Sequence, residues 1–462
     1  MHLIQRLAKA FLILILGLLV FYGVARQIVV YIDSELDGER APYIQMTTPG
    51  SAVIRWQTLT PSLGTVGIGE QHYHQKQQLT ANFTEAAPTR LHSVTVDQLK
   101  PDTLYYYQIS DDQGRHAGGS VNDWFRTAPV TARPTRIWVI GDSGDPGPVL
   151  DQVRDAALQW TRQHSRVGLP DFDVWLSLGD LAYRSGSDKQ FQKSLFDAFP
   201  DQMRNTALWP TYGNHDARRR TYFRLFSLPE HGEAGGEPSG TENYYSFNFG
   251  AVHFVMLDSE ASSNAPGSDM VNWLQRDLEK NTSPWLIAVF HHPPYSKGTH
   301  DSDVNRGSSA PMVEMRENIV PLLEAAGVDL VLSGHSHMYE RSYLLDCHYG
   351  NSKIFTAQRI VSDGVNHQNA EYLKPLQKTP HAGAVYVVAG SASKVDGGPI
   401  NHPAMPVSML EAGSLMIDID GDELIARFIN NKSEVKDMFS IRKQAGYRSG
   451  YAGCVTGEKI KD

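Results

Sequence analysis

The stretch GHSHMYER, residues 334–341, decides the fold because it directly follows an apolar run. Val328–Leu332 has the composition of a buried strand, and His335 and His337 leave its end two residues apart, so both rings can face one concave site. The same pattern recurs at IWVIGDSG (137–144), VWLSLGDLAY (174–183), WPTYGNHD (209–216) and LIAVFHHPPY (286–295). Five strand ends that carry Asp, Asp, Asn-His, His-His and His-x-His predict a two-metal hydrolase site.

Two of these strand ends carry a glycine followed by an aspartate, Asp142 and Asp180. The glycine allows the backbone to approach a site closely, and open α/β sheets place their sites at the carboxyl ends of strands. A single Gly-Asp pair is a common turn and predicts little. Two pairs, together with Gly-Asn-His and Gly-His-x-His in one domain, predict metal binding, and an aspartate between two cations can bridge them.

A chain of 462 residues is too long for one typical domain and predicts two, or at most three. Residues 41–129 contain short alternating segments such as Ser51–Thr58 and Leu104–Ser110, separated by Pro, Gly or Asp turns. This pattern is typical of a small antiparallel all-β sandwich. No catalytic constellation occurs in it, and residues 131–134 form a linker to the next domain.

From residue 135 to about 430, strands alternate with helical patterns, which predicts an α/β domain that carries the five motifs. Met416–Ile429 has a central Asp-Gly and predicts a late hairpin, and residues 431–462 are expected to form a C-terminal tail. The predicted strands and helices include Ile137–Ile140, Val149–Gln163, Val174–Leu178, Val271–Lys280, Trp285–Phe290 and Met312–Ala326.

Residues 1–32 are expected to be a signal peptide or a membrane anchor. Arg6 and Lys9 precede the uncharged run Ala10–Ala25, which is shorter than a hydrocarbon core of about 30 Å and favours a signal peptide. Ile28–Ile32 extends the apolar run past a single arginine and favours an uncleaved anchor instead. Either alternative predicts that the chain after residue 33 is exported, to the periplasm or the extracellular space.

The net charge bears on the class of binding partner, and the cysteine content bears on a disulfide bond. A net charge of −9 with no basic stripe argues against a nucleic-acid partner. The two cysteines, Cys347 and Cys454, would form one disulfide in an oxidising compartment, although two unrelated thiols are the alternative. The oligomeric state is not indicated by any sequence feature.

The five motifs resemble those of the calcineurin-like metallophosphoesterases, and in particular their purple acid phosphatase branch. Two details select the branch: Gly144 in Gly-Asp-Ser-Gly, where many relatives carry a histidine, and Tyr183 in Gly-Asp-Leu-Ala-Tyr, whose phenol takes over that role. The resemblance covers residues 41–430. It implies an αββα metallophosphoesterase sandwich preceded by a fibronectin type III-like domain, and it implies acid phosphatase activity on phosphomonoesters.

The resemblance also implies the ligands of two metal ions. The first ion would bind Asp142, Asp180, Tyr183 and His337, and the second would share Asp180 and bind Asn214, His291 and His335. In the double histidine, aligning Pro293 with the proline of the family makes His291 the ligand and His292 a neighbour. A phenol with a reference pKa near 10 favours Fe(III) in the first site, whereas the second ligand set suits Zn(II), Mn(II) or Fe(II).

A hydroxide formed on such a metal pair would attack phosphorus in line, so no protein nucleophile is needed. His215 is expected to stabilise the phosphoryl oxygens, and Asp216 either fixes its tautomer or is a solvated turn residue. His300 is expected to protonate the leaving group, with an exposed surface histidine as the alternative. Asp145 is expected to cap the helix that starts near Pro148 or, less simply, to support a metal ligand.

Two other functions remain open at this stage. A phosphodiesterase or an alkaline-type phosphatase could use similar metals, and an inactive binding module could keep only the scaffold. The loops around the predicted site carry no recognisable readout of a particular leaving group, so the sequence predicts a small phosphoester substrate without identifying it.

Overall fold

The structure is a computed structural model that describes residues 2–32, 38–70, 80–364 and 369–448. Its first element is helix α1 (His2–Ile32). Among the described residues, no helix combines the length and the apolar character that a membrane crossing requires. The signal peptide and the membrane anchor both stay predictions.

The all-β sandwich predicted for residues 41–129 is present and consists of two sheets. Strands β1, β2 and β5 form the first sheet, and β4, β3, β6 and β7 form the second, with β8 paired to β6. The eight strands are β1 (Arg40–Gln45), β2 (Ala52–Ser62), β3 (Gly64–Gly69), β4 (Ala81–Thr84), β5 (Thr89–Val96), β6 (Leu104–Asp111), β7 (His116–Gly118) and β8 (Trp124–Arg126). Alternate residues of β5 and β6 are buried, as the period of two predicts.

The second domain contains two large sheets. The seven-stranded sheet has the order β11-β10-β9-β21-β22-β23-β18, and the eight-stranded sheet has the order β12-β13-β14-β15-β19-β16-β17, with β20 paired to β16. Their strands are β9 (Thr135–Ile140), β10 (Val174–Ser177), β11 (Leu208–Pro210), β12 (Tyr245–Phe249), β13 (Val252–Met256), β14 (Trp285–Val289), β15 (Leu330–Ser333), β16 (Tyr339–Leu345), β17 (Ile360–Ser362), β18 (Asn369–Pro375), β19 (Ala384–Ala389), β20 (Val407–Met409), β21 (Gly413–Asp420), β22 (Glu423–Asn430) and β23 (Val435–Gln444).

Helices cover the outer faces of these two sheets, which confirms the αββα sandwich. Helix α2 packs against β21 and β22, and apolar residues of α6 pack against β13 and β14. The helices are α2 (Pro148–Gln163), α3 (Asp188–Phe191), α4 (Pro200–Asn205), α5 (Thr221–Leu225), α6 (Asp269–Lys280), α7 (Ala310–Glu314) and α8 (Val320–Ala325). The predicted helix Met312–Ala326 is interrupted by a π-helical turn, Met315–Ile319, because Pro321 has no N–H to continue the regular pattern.

The predicted hairpin at Met416–Ile429 is present as β21 and β22, but the sheet does not end there. Strand β23 pairs with both β22 and β18, so residues 435–444 belong to the seven-stranded sheet and not to a tail. Charged residues at buried positions hide its alternating pattern. Asp437 accepts hydrogen bonds from Arg341 and Tyr339, and Lys443 pairs with Asp329 at 2.8 Å. Residues 449–462, with Cys454, lie outside the described part, so the predicted disulfide stays a prediction.

The all-β sandwich contacts the second domain through the segment 188–227 and also through Gly168. Arg40 pairs with Asp188 at 2.8 Å, and the two side chains are almost completely buried. The Tyr43 hydroxyl donates to the carbonyl of Leu225 at 2.8 Å, and Arg55 donates to the carbonyl of Phe226 at 2.7 Å. These bonds join the first sheet of the sandwich to the part of the chain that contains β11 and the Gly-Asn-His motif.

The five motifs meet at one edge of the two large sheets. Strands β9, β10 and β11 are parallel neighbours in the seven-stranded sheet, and β14 and β15 are parallel neighbours in the eight-stranded sheet. All five strands are fully buried along their length, as expected when both faces of a sheet are covered. The loops that follow them therefore converge, which is the placement that the sequence predicts.

Candidate metal centre

Three of the predicted ligands have a backbone conformation that side chains rarely adopt. Asp142, Asp180 and His335 lie in the left-handed region, with φ values of 55°, 55° and 67°. Such residues cost on the order of 1–3 kcal/mol each and persist where the surrounding structure holds them. Each of them follows a glycine at a strand end, so the chain turns sharply and directs the side chain into the space between the two sheets.

Glycines next to the ligands leave room for these turns. A Cβ atom on Gly334 would lie 2.5 Å from a carboxylate oxygen of Asp142, and one on Gly213 would collide with the amide and the carboxylate of Asp180. At these two positions the glycine is therefore required by the close approach of a carboxylate. The two aspartates are buried in this cradle, with exposed fractions of 0% and 2%.

One cluster of predicted ligands consists of Asp142, Tyr183 and His337. The Tyr183 hydroxyl donates to Oδ1 of Asp142 at 3.0 Å and lies 3.1 Å from Nε2 of His337. Nε2 of His337 is 3.5 Å from the same carboxylate oxygen of Asp142. A carboxylate, a phenol and an imidazole thus present their ligand atoms to one point.

The other cluster consists of Asn214, His291 and His335. Nε2 of His291 and Nδ1 of His335 each lie 3.1 Å from Oδ1 of Asn214, and these two nitrogens are 3.3 Å apart. Asp180 connects the two clusters, because its Oδ2 is 3.6 Å from Nε2 of His291 and ligand atoms of Asp142, Asp180 and His291 lie within 4.8 Å of one another. The seven predicted ligands therefore form one centre with two halves.

Backbone carbonyls orient the imidazoles of the second half. Nδ1 of His291 donates to the carbonyl of Leu178 at 2.7 Å, and Nε2 of His335 donates to the carbonyl of Ser308 at 2.9 Å. In each ring the other nitrogen then carries the lone pair and faces the centre. This is the arrangement that fixes the tautomer of a metal-ligating histidine.

A carboxylate orients the imidazole of the first half. Nδ1 of His337 donates to Oδ2 of Asp396 at 2.5 Å, so Nε2 faces Asp142 and Tyr183. Asp396 follows strand β19, and sequence analysis missed it. Its Asp-Gly order reverses the Gly-Asp of the ligand motifs and is common in turns, so no sequence signal singled it out. Lys394 lies over the ring of Tyr183, 4.9 Å from its centroid.

The charges of the centre favour cations. Burial opposes ionisation of Asp142, but the hydrogen bond and charge of His337 and the charge of His291 outweigh it and lower its pKa. The pKa of Asp180 is raised by burial and by repulsion from Asp142. Burial and the two carboxylates raise the pKa of Tyr183 well above 10. Cations between these groups would offset the repulsion and draw off the phenol proton, so the donor set fits two metal ions.

The two predicted catalytic histidines flank the centre. Nδ1 of His215 donates to the carbonyl of Arg184 at 2.8 Å, and its ring meets that of Tyr183 edge-on. The ring of His300 stacks on that of His335 at 3.8 Å and is half-buried, so His300 is not an exposed surface histidine. Burial lowers the pKa of His300 to about 4, and burial also lowers the pKa of His215.

The double histidine divides as the alignment of Pro293 implies. His291 faces Asp180 and the second half of the centre, as described above. His292 points Nδ1 at the hydroxyl of Ser259, at 2.8 Å. His292 nevertheless remains close to the centre, because nitrogens of His291, His292 and His335 lie within 4.8 Å of one another.

Asp216 does not fix the tautomer of His215, since a backbone carbonyl does so. The Asp216 carboxylate is fully buried and accepts hydrogen bonds from the amides of Leu181, Ala182 and Gly213 at 3.0–3.2 Å. It therefore ties the loop of Asp180 to the loop of Asn214. A loop-spanning role of this kind cannot be inferred from an aspartate that lies beside a histidine in sequence.

The expectation for Asp145 is wrong. Helix α2 begins after Gly147, and no side chain caps it. The Asp145 side chain is exposed, while its amide donates to the hydroxyl of Ser393 at 3.3 Å. Pro148 at the first helical position fixes the start of the helix instead, because it requires no partner for an amide hydrogen.

Comparisons with known proteins give a consistent picture. A family model described as purple acid phosphatase, N-terminal domain, matches residues 40–128, and a model described as calcineurin-like phosphoesterase matches residues 135–339. The Arabidopsis thaliana protein named "Probable purple acid phosphatase 20" is 28% identical over 69% of the chain and 73% of its own length. Purple acid phosphatase 21 of the same plant is 32% identical over 54% of this chain. The matched region spans 53% of the length of that relative.

A solved structure extends the similarity to the whole architecture. The purple acid phosphatase PPD1 from yellow lupin (Lupinus luteus) seeds aligns with a TM-score of 0.67, covering 91% of this chain and 78% of that one. The identity is 17%, so the structural match speaks to the fold.

Proposed function

We propose that this chain, a phosphoester hydrolase of the purple acid phosphatase branch of the calcineurin-like metallophosphoesterases, is an exported phosphatase that hydrolyses phosphomonoesters at a centre of two metal ions. One observation carries this proposal. Ligand-type atoms from five strand ends converge in two groups that share Asp180, with separations of 3.0–3.6 Å.

The first ion would bind Asp142, Asp180, Tyr183 and His337, a set with a phenol that suits Fe(III). The second would bind Asp180, Asn214, His291 and His335, a set that suits a divalent ion such as Zn, Mn or Fe. When bound, the two cations would neutralise phosphoryl oxygens and acidify a water molecule, so the reaction needs no nucleophile from the protein.

His215 would bind the phosphoryl group. Because its Nδ1 donates to the Arg184 carbonyl, its Nε2 is directed to the centre, 3.9 Å from Oδ2 of Asp180. A donor fixed in this way would stabilise the charge that develops on the phosphoryl oxygens without reorganising during the reaction. The ring edge against Tyr183 keeps the imidazole in this orientation.

His300 would deliver a proton to the leaving group, and its stacking on His335 puts it on the side of the second half. With a pKa lowered to about 4, it is neutral at pH 5–6 in the empty site. The negative charge of a bound phosphoester would raise its pKa and favour protonation. His300 would therefore act as an acid only in the substrate complex, and its contribution would depend on the leaving group.

The apolar run Ala10–Ala25 behind Arg6 and Lys9 supports export, since basic residues before such a run remain on the cytoplasmic side. Mass analysis of the mature N-terminus in the exported fraction tests this part of the proposal. Recovery of the intact chain only from the cytoplasm would contradict it.

The activity is tested by metal analysis followed by a substrate panel. We expect two metal ions per chain, a visible band if the first is Fe(III), and faster hydrolysis of p-nitrophenyl phosphate than of bis(p-nitrophenyl) phosphate at acidic pH. Asp180→Asn is the matched inactive variant, since it keeps the size of the side chain and removes the shared charge. Faster diester hydrolysis would identify a phosphodiesterase, an alkaline optimum would identify an alkaline-type phosphatase, and a metal-free protein without activity would identify a binding module.

A further inference from the structure

His292 is a buried histidine with one nitrogen that has no partner. The residue has an exposed fraction of 0%, and its Nδ1 lies 2.8 Å from the hydroxyl of Ser259. Its Nε2 is enclosed and makes no hydrogen bond to any described residue. The Glu260 carboxylate is 3.7 Å away, beyond hydrogen-bond distance. A buried polar atom in this situation costs on the order of 1–3 kcal/mol and requires an explanation.

The environment of His292 matches that of the predicted ligands. His291 and His335 each donate from one ring nitrogen to an oxygen and direct the other nitrogen to the second half of the centre. His292 shares the first of these features, since its Nδ1 can donate to Ser259, whose oxygen also accepts the His292 amide at 3.1 Å. Nitrogens of all three rings lie within 4.8 Å of one another, and the His292 and His335 rings are 4.3 Å apart.

Burial with an unpartnered nitrogen is not sufficient by itself, as two other histidines show. His348 and His402 are each 2% exposed, and Nε2 of each makes no hydrogen bond within the described part of the chain. Neither residue belongs to a group of three ligand-type side chains among the described residues. The feature that distinguishes His292 is therefore its convergence with two imidazoles that already face the centre.

We propose that His292 is a third imidazole ligand of the second metal site, and that Ser259 orients its ring. The inference rests on the proposed function, because it assumes that this half of the centre binds an ion. The set Asn214, His291, His335 and His292, with the shared Asp180, is richer in nitrogen than the set without His292. Such a set favours Zn(II) over the harder Mn(II).

The experiment compares metal binding in variants of the full chain after removal of metal and reconstitution with Zn(II). His292→Asn keeps an N–H that can donate to Ser259 and removes Nε2. We expect the second ion to bind at least about 10-fold more weakly, with the first ion retained. His402→Asn removes another buried imidazole with an unpartnered nitrogen and should leave both affinities unchanged. Thermal unfolding of each variant shows that it is folded.

Two results would overturn the inference and leave the phosphatase proposal intact. One is that His292→Asn binds the second ion as tightly as wild type. The other is that Glu260→Gln weakens the ion as much as His292→Asn does, since His292 would then only position that carboxylate. A wild-type chain that binds no ion under any condition would instead contradict the proposed function itself.

A second measurement does not depend on the folding of a variant. In wild-type protein loaded with Co(II) in both sites, each ligated imidazole gives one strongly shifted exchangeable N–H proton in the NMR spectrum. We expect four such signals, from His291, His292, His335 and His337. Three signals would exclude His292 from the coordination of the ion.

Discussion

The two halves of the centre hold similar numbers of ligand atoms in different ways. In the first half, Asp142, Tyr183 and His337 contact one another, and a carboxylate, Asp396, orients the imidazole. In the second half, an amide and two imidazoles meet, and backbone carbonyls orient the rings. Ionisable oxygens thus concentrate in one half and neutral nitrogens in the other.

This difference indicates how one pocket could distinguish two ions. Negative charge from Asp142, Asp396 and a deprotonated Tyr183 would favour an ion of higher charge, and neutral imidazoles would favour a softer divalent ion. Asp180 belongs to both proposed ligand sets, and Asp142 also reaches the second half, because its Oδ2 accepts a hydrogen bond from the His335 amide at 2.8 Å. Substitutions that affect one half, both halves or neither therefore test the comparison.

The largest effect is expected for Asp180→Ala, which affects both halves. Without the shared carboxylate, two cations would face each other uncompensated. We expect loss of both ions and a decrease in kcat of more than about 10³-fold, above the cost of losing a single stabilising group. Metal analysis and steady-state kinetics measure these changes. Retention of both ions would remove Asp180 from the shared position and would contradict the two-half arrangement.

Tyr183→Phe should affect the first half only. It removes the phenol that lies 3.0 Å from Asp142 and leaves the ring in place. We expect complete loss of any visible phenolate-to-iron band, with the second ion and the fold retained. Absorption spectra and metal content provide the measurement, and Tyr212→Phe, another buried tyrosine, is the matched control. A band that persists in Tyr183→Phe would mean that another tyrosine is the ligand or that the ion is not iron.

His300→Ala should reveal a function on the side of the second half that is separate from ion binding. General acid catalysis contributes about 10²–10⁴-fold, and a poor leaving group needs it most. We expect a loss of this size on alkyl phosphates, a small loss on p-nitrophenyl phosphate, and no loss of metal. His215→Ala should slow both esters alike, because stabilising phosphoryl oxygens does not depend on the leaving group. Equal losses for His300→Ala on the two esters would make water the acid to test.

Asp396→Asn should weaken the first half without changing a ligand. The variant removes the charge that accepts the Nδ1 proton of His337 at 2.5 Å. We expect the first ion to bind about 10–100-fold more weakly and the second to be unaffected. Competition with a chelator measures both affinities, and Asp145→Asn, an exposed acid in the loop after β9, is the control. A weaker second ion in Asp396→Asn would show that the two halves do not respond independently.

Substitution of His402, a buried histidine outside both halves, should have the smallest effect on the centre and should instead change the free energy of unfolding. Burial lowers the pKa of His402 to about 3, against a reference of 6.5. Below pH 6.5 the unfolded chain therefore binds a proton at His402 that the folded chain does not bind. The free energy of unfolding is unaffected by this group above pH 6.5 and decreases progressively as pH falls below it. Relative to His402→Asn, wild type should lose about 2–3 kcal/mol of unfolding free energy between pH 7 and pH 4.5. Urea unfolding at the two pH values measures this loss. An equal pH dependence in both proteins would show that His402 is protonated in the fold.

The sequence predicted the strand ends that carry the five motifs, because strand period and motif spacing are local properties. The set of seven candidate ligands came from the resemblance to the metallophosphoesterases, and the structure brings these side chains together. The sequence did not predict Asp396, since the contact with His337 depends on the path of the chain after β19. It also placed β23 in a tail, because inward charges such as Asp437 are recognisable as core residues only when their partner, Arg341, is known. Long-range pairing of polar groups is the property that periodicity does not contain.

The all-β sandwich is coupled to the candidate site through the segment of the second domain that it contacts. Its ion pair and several of its hydrogen bonds fall on residues 188–227, the same segment that supplies Asn214 and His215. A domain with no predicted catalytic residue thus binds the segment that carries two of the candidate site residues. Removal or exchange of this domain would also remove the partners of that segment, so the two folds are structurally coupled.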